Sequence, residues 1–588
     1  MSNECAAKCN MENKELVFPT QFEDLSNELI YDVFNYLDSW QIYEIFFHLN
    51  IRFQRLFISP IFRLHINLSW ISKKDFAHRC DELVKPNIDR LVSLFLSNYC
   101  AVDCFFELFS IDSFIQLERL ILNAVTSNKL LIRLLNSLVR LPHLFTLSIT
   151  SSTFNRDENL VLQCIFRLPV IQYCKLRLYG NFNRRSFPCS HDQNSQCQTL
   201  KYLILDGRFS LNQLTPILTY TPQLTYFSCR FQSGSNYETN QELHMPFDLT
   251  DISLQFHDVS FDEIEKFLAR ISSRLQRLYL TIHLNNTFLY ADRWERLIRN
   301  HMPYLYIFDF KYLIYKYDRP NDYTISNQLF DRFKSSFWYE RKWFFQYQHW
   351  SCKNDDFAGI FYSTNPYRRK CYELYRCETY ETIVHSASHL KIGIDCLSNN
   401  VMIHFPNVTE LTLIENDNES KERSMTNINC IIPLTQLTHL VIFDPHFSIS
   451  QLIELLRFSS NMQSLTFIGV SFTSRCRLSV EQMDLVRSIS KTSKVTELCI
   501  EDDCSLAYIQ FFADLCPRLQ RLEIVLLERQ IKSIIQFLLS SNMSDLFWLC
   551  LRDISNETSR KVQKIIDHEK LIIDYNVKDH YTGLYFWW

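Results

Sequence analysis

The sequence predicts an α/β solenoid preceded by a small three-helix unit, on three observations. A six-residue hydrophobic word returns at near-constant spacing, proline recurs at a fixed offset before it, and a short early stretch has helical apolar spacing instead. At 588 residues the chain exceeds the roughly 250–300 residues at which one hydrophobic core stops growing, so a repeat array or several domains are expected.

The word has apolar residues at i, i+3 and i+5. It starts at Leu91, Leu117, Leu144, Ile171, Leu200, Leu224, Leu249, Leu275 and Leu305, then after a gap at Val408, Leu437, Met462, Val495, Leu519 and Leu546. Starts in the first array lie 24 to 30 residues apart, which is the leucine-rich-repeat period with modest drift. Proline stands two residues ahead of the word at Pro142, Pro169, Pro222, Pro303, Pro406 and Pro517. Because proline turns the residue before it away from helix, it marks the passage from helix to strand. The stretches before the words fit that helix: Phe261, Ile264, Phe267, Leu268 and Ile271 share one face, as do Ile449, Leu452, Ile453 and Leu456.

In such an array the i+3 and i+5 side chains stack inward from repeat to repeat. Side chains alternate along a strand, so the i+2 and i+4 residues face the concave surface. The candidate target-binding residues are therefore Tyr202, Tyr226, Arg277, Tyr279, Asp309, Glu410, Arg521 and Glu523, with Arg119, His439 and Trp548 on the same face. Tyrosine, tryptophan and arginine are the anchors that protein interfaces favour. No regular asparagine ladder follows the word, so the expected form is an irregular leucine-rich-repeat horseshoe.

The chain divides accordingly into a disordered tail (1–15), a helical module (16–65), a repeat array (66–310), an aromatic-rich insert or divergent repeats (311–383), a second repeat stretch (384–575) and a C-terminal cap (576–588). In the insert, Arg341, Lys342, Arg368, Arg369 and Lys370 lie among Trp338, Trp343, Trp350, Tyr362 and Tyr367. Interleaved cations and rings can stack bases. Packing on the solenoid edge is the preferred reading, with a peptide ahead of RNA as any ligand. A faint word at Ala387, with Leu390 and Ile392, suggests where the array resumes. Trp587 and Trp588 are expected to cover the last repeat.

Within the module, Leu29, Ile30, Val33, Phe34 and Leu37 form one apolar face, with Ser26 as N-cap. Ile42, Ile45, Phe46 and Leu49 form a second, and Phe53, Leu56 and Phe57 a third. A unit this small and this apolar leaves side chains over for a partner or for the first repeat. The segment resembles an F-box, on Leu25, Glu28, Leu29, Ile30, Val33, Phe34, Leu37 and Asp38. The signature's proline is Ser26 here, and its late tryptophan is matched by Phe53. F-box followed by leucine-rich repeats resembles the substrate receptors of cullin-RING ubiquitin ligases. The resemblance implies docking of a Skp-type adaptor, and through it cullin, by Leu25, Leu29, Ile30, Val33, Phe34 and Leu37.

Other chemistry is poorly provided for. Sixty-one basic residues stand against 65 acidic ones, a formal net charge of -4, which offers no electrostatic grip on nucleic acid. Seven glycines, at positions 180, 207, 234, 359, 393, 469 and 583, lie too far apart for a phosphate-cradling loop. Neither Cys5 with Cys9 nor the run His191 to Cys197 has the usual zinc spacing. Met1 to Lys14 lacks an apolar signal core, so the 20 cysteines are expected as reduced thiols, with Cys174 and Cys229 buried in strands. No window suits a membrane span. The expectation is a non-enzymatic receptor in cytoplasm or nucleus, without metal or cofactor. The alternative is a repeat scaffold with no ubiquitin role.

Overall fold

A computed structural model describes residues 21–154, 158–180, 197–232, 248–283, 285–315, 328–349, 357–364, 366–375, 382–394, 396, 403–414, 427–470, 479–539, 543–572, 574–580 and 583–588. The tail 1–15, Cys5, Cys9, Trp350 and positions 191–196 lie outside them.

Each of the fifteen words falls on a strand. The first part of the chain supplies β1 (Leu64–Asn67), β2 (Leu91–Ser97), β3 (Arg119–Val125), β4 (Thr146–Phe154), β5 (Tyr173–Gly180) and β6 (Tyr202–Phe209). It continues with β7 (Tyr226–Gln232), β8 (Asp251–His257), β9 (Arg277–His283), β10 (Ile307–Tyr315), β11 (Phe345–His349) and β12 (Phe357–Ser363). The second part supplies β13 (Cys371–Leu374), β14 (Thr382–Ile383), β15 (His389–Gly393), β16 (Ile403–His404), β17 (Glu410–Ile414) and β18 (His439–Phe443). It ends with β19 (Ser464–Ile468), β20 (Glu497–Cys504), β21 (Arg521–Leu526), β22 (Trp548–Arg552), β23 (Asn576–His580) and β24 (Gly583–Trp587).

Strands β1 to β10 pair in chain order, all parallel, and the described residues place helices or helical turns in the links from β1 to β5, between β6 and β7, and from β8 to β10. A second sheet runs β13-β15-β17-β18-β19-β20-β21-β22, also parallel. The protein is thus an α/β solenoid. The i+3 and i+5 residues are its core: Leu120 and Leu122, Leu203 and Leu205, Leu278 and Leu280 are all buried. Cys174 and Cys229 are buried in the same stack, where desolvation pushes their thiols well up.

Repeats are joined by the backbone at word position i+1. The carbonyl of Glu118 accepts from the N–H groups of Phe145 and Thr146, at 3.1 and 3.0 Å. The carbonyls of Gln172, Thr225, Thr409 and Gln520 each do the same for the repeat that follows. A bond made by the main chain asks nothing of the side chain, which is why no asparagine ladder is needed. Several helices open on a capping box: Ser260 with Glu263, Ser448 with Gln451 and Ser479 with Gln482. Each such cap contributes about 1 kcal/mol.

Between the two parallel runs the chain reverses. Strand β12 lies antiparallel to β10 and to β11, ending the first sheet. Trp338 and Trp343 are buried against Phe308, with ring centroids 5.6 Å from it in each case, and the Arg341 guanidinium lies 4.0 Å from the Phe337 ring centre. These aromatics are core. The word near Ala387 lies on β15, where the Ser388 carbonyl joins the repeats as elsewhere.

The expected open horseshoe is instead closed into a ring, because the two sheets meet at both ends. At one seam Lys311 on β10 reaches Glu373 on β13 at 3.0 Å, and the Tyr362 and Tyr372 hydroxyls are 3.1 Å apart. At the other, β24 adds antiparallel to β22 and β23 to β24. This terminal hairpin then packs on the start of the solenoid. The Trp587 indole N–H donates to the Ile71 carbonyl at 2.8 Å, its ring stands edge-on to Phe76, and the Lys73 N–H donates to the Trp588 carbonyl at 2.9 Å. Lys578 pairs with Asp103. Trp587 lies opposite Trp548 of β22, in the last repeat, and joins that repeat to the first.

Candidate functional site

Two surfaces stand out: the outside of the N-terminal module and the inner face of the ring. The module consists of α1 (Asn27–Phe34), α2 (Ser39–Ile42), a π turn over Tyr43–Phe47, and α3 (Ile51–Ile58). Ser26 caps α1, its hydroxyl accepting from the Leu29 N–H at 3.4 Å, and Asn50 caps α3. Ile30, Phe34, Ile42, Phe53, Leu56 and Phe57 are buried within. Phe53 packs between Phe22 and Phe46, at 5.8 and 5.4 Å.

The module is seated on the open edge of β1. Asp38 Oδ1 accepts from the Asn67 N–H at 3.0 Å and Ser39 Oγ from the His65 N–H at 2.8 Å, satisfying main-chain groups that a missing neighbour strand would leave bare. The same Asp38 caps α2 through the Trp40 N–H.

Of the six residues singled out for adaptor docking, Ile30 and Phe34 lie inside the module, 0% and 1% exposed. Leu25 and Leu37 are half-buried. Leu29 at 50% and Val33 at 37% face solvent, and Tyr36, 91% exposed, continues their stripe at i, i+4 and i+7. Ile45 and Leu49, which share an apolar face with Ile42 at regular helical spacing, are exposed while Ile42 is buried, because the π turn rotates them away from it. Ile51, Ile58 and Ile61 add further exposed apolar surface.

On the inner face, parallel register turns the sheet into rows. One row runs Tyr173, Tyr202, Tyr226, Asp251, Arg277, with Tyr173 and Tyr202 rings 6.3 Å apart and Tyr202 and Tyr226 rings 6.0 Å apart. Arg277 is paired with Asp251. Another row runs Arg177, Asp206, Arg230, Gln255, Thr281, Lys311. Asp206 is shared by Arg177 at 2.9 Å and Arg230 at 3.3 Å. A cavity of about 740 Å³ opens on these rows, with Tyr226, Arg277 and Tyr279 in its wall and Arg368, Arg369 and Lys370 reaching in from the chain between β12 and β13.

Other predicted target-binding residues are distributed differently. Asp309 is 1% exposed and is no free surface group: Arg369 folds over it, binding its carboxylate while also donating to Thr281 Oγ1 at 2.7 Å and to the Leu280 carbonyl at 2.6 Å. Tyr202 is exposed, and so is Glu410, 3.7 Å from His389. Arg521 pairs with Glu497 and lies over the Trp70 ring, where desolvation lowers its pKa to about 10. Glu523 pairs with Arg552. Trp548, expected on the concave surface, is buried at the closing seam, edge-on to Trp70 at 5.4 Å.

Arg230 and Lys311 were missed because the word was read only to i+5. The same alternation carried to i+6 names the whole row from Arg177 to Lys311. Thiols offer no activated nucleophile at Cys80, Cys100, Cys499, Cys504 or Cys516, where burial pushes each up to about 12.

No protein-family profile and no curated protein matches the sequence. Among solved structures, the chain shows similarity to the Rad7 and Elc1 complex in yeast, at 12% identity over 78% of this chain and 92% of that one, with a TM-score of 0.25. It is also similar to the mouse RP105/MD-1 complex, at 10% identity over 82% and 79%, with a TM-score of 0.23. Likeness this distant carries no argument about function. Among the described residues no helix is long and apolar enough to cross a membrane.

Proposed function

We propose that this chain is the substrate-recognition subunit of an SCF-type ubiquitin ligase. The N-terminal module holds a Skp-type adaptor, and through it a cullin, while the inner face of the ring selects a target protein. Ubiquitin transfer then follows from proximity arranged by this chain, with the chemistry supplied by its partners.

The supporting observation is the apolar surface left on the module after its own core and the β1 edge are covered. Leu29 and Val33 point outward in a helix whose inner face, Ile30 and Phe34, is already complete. Exposed apolar groups gathered on one small unit mark an interaction site. The test is capture by a purified Skp-type adaptor. Leu29→Asp with Val33→Asp removes capture while leaving the fold intact, since both side chains are exposed; capture equal to wild type would refute the reading.

A second reading is a repeat scaffold with no ubiquitin role. It is favoured by Asp38 and Ser39, whose bonds to β1 give the module a structural use without any partner.

A further inference from the structure

We propose that the tyrosine ladder of the inner face, Tyr173, Tyr202 and Tyr226, seats a proline-rich segment of a target protein that carries acidic residues at its flanks. This rests on the reading of the inner face as the target-selecting surface and is independent of the adaptor.

Parallel register sets the three residues side by side on β5, β6 and β7. Their ring centroids stand 6.3 and 6.0 Å apart with planes inclined at 33° and 31°, so the rings form open steps and not a closed stack. The row covers about 12 Å, close to four residues of polyproline II at about 3.1 Å each. Tyr202 is exposed, and Tyr173 and Tyr226 are half-buried on either side of it.

Each step is apolar on its ring and a donor at its tip. Among the described residues none of the three hydroxyls has a hydrogen-bond partner. Desolvation, with Tyr226 adding to it, raises the Tyr173 phenol, which therefore stays protonated and able to donate. A proline-rich chain is the complement of such a surface: it offers pyrrolidine rings and free carbonyl acceptors, and proline has no N–H that must find an acceptor in return. Its conformation exists before binding, so little chain entropy is lost, and tyrosine likewise gives contact area at small entropic cost.

Charge decides what flanks the prolines. Arg119 lies in the same row as Tyr173, Lys175 follows it on β5, and Lys201 precedes Tyr202. Among the described residues these three cations have no carboxylate partner, whereas Asp206 is held by Arg177 and Arg230, and Asp251 by Arg277. They repel the lysine or arginine side chain that a tyrosine face would otherwise attract, and they favour aspartate or glutamate.

The test uses the full chain without adaptor and the fluorescence anisotropy of labelled probes. The first probe is decaproline with aspartates at both ends; its twin has the same aspartates around a glycine/serine chain of equal length. A third carries lysines in place of the aspartates, and a fourth is a short oligothymidine. Wild type is expected to bind the first probe, the twin at least tenfold more weakly and the lysine form severalfold more weakly. Tyr202→Ala with Tyr226→Ala is expected to weaken binding of the first probe tenfold or more. Tyr202→Phe with Tyr226→Phe, which keeps the rings and removes the donors, is expected to weaken it severalfold at an unchanged thermal midpoint. The proposal is overturned if the aspartate-flanked decaproline does not bind, if the alanine pair binds it as wild type does, or if oligothymidine binds more tightly. Equal binding of the twin also overturns it, while leaving the inner face as a surface for some other target. Because no adaptor is present, none of these failures bears on adaptor capture.

Discussion

Replacing Trp587 with alanine asks whether the solenoid is a ring. The side chain is 1% exposed and packs on Phe76 at 5.2 Å, while its N–H donates to the Ile71 carbonyl at 2.8 Å. Truncating a buried tryptophan costs about 3–5 kcal/mol through lost transfer energy and the cavity left behind. The unmade hydrogen bond adds about 1 kcal/mol. A loss of about 4 kcal/mol is a thousandfold in an opening equilibrium. Repeat arrays open locally, so the readout is site-resolved hydrogen exchange. Protection should fall together in β24 and β1, which the contacts at Ile71, Lys73 and Phe76 just after β1 tie to the hairpin. Val577→Ala, at a 40% exposed position on β23, should change stability by about 0.5 kcal/mol or less. If Trp587→Ala loosens β24 and leaves β1 as protected as before, the hairpin is a simple end cap and the closure argument fails.

Two further outcomes follow from local geometry. Gly583 has φ +154°, and a Cβ there would lie 2.5 Å from the Leu551 carbonyl oxygen, so Gly583→Ala should cost about 2–3 kcal/mol in urea unfolding; Gly469, at φ +65° with open space around it, should cost about 1 kcal/mol. His283 is buried, and desolvation together with His257, Lys311 and Arg230 lowers its pKa from 6.5 to about 4. The unfolded chain therefore takes up a proton that the folded one refuses, and stability is lost as pH falls from about 6.5 towards 4. The effect is about 2 kcal/mol after allowance for partial solvent contact. Thermal melts at pH 7 and 5 should show this loss reduced in His283→Gln.

The solenoid was legible because its cause is local and repeated: an apolar i, i+3, i+5 beat must place Leu120 and Leu122 on one side of a strand and Arg119 on the other. The helices of the module were legible for the same reason, down to Ser26 as cap. What could not be read depends on chain segments far apart in sequence. Asp309 obeys the alternation, yet Arg369, 60 residues later, covers it. Trp548 also obeys it, and is buried only because Trp70 and Tyr585 come to meet it. The π turn at Tyr43–Phe47 is a smaller case, since a one-residue change in helical pitch moved Ile45 and Leu49 to the outside.

Ring closure also sets a timetable for synthesis. The bond from Trp587 to Ile71 spans 516 positions, which a ribosome adding roughly 5–20 residues per second covers in about half a minute to two minutes. Throughout that interval the N-terminal helices are complete while the hairpin that will press against Ile71 and Phe76 has yet to be made. A nascent chain can therefore present Leu29 and Val33 to a partner well before its circle is shut, and the order of assembly is written into the direction of translation.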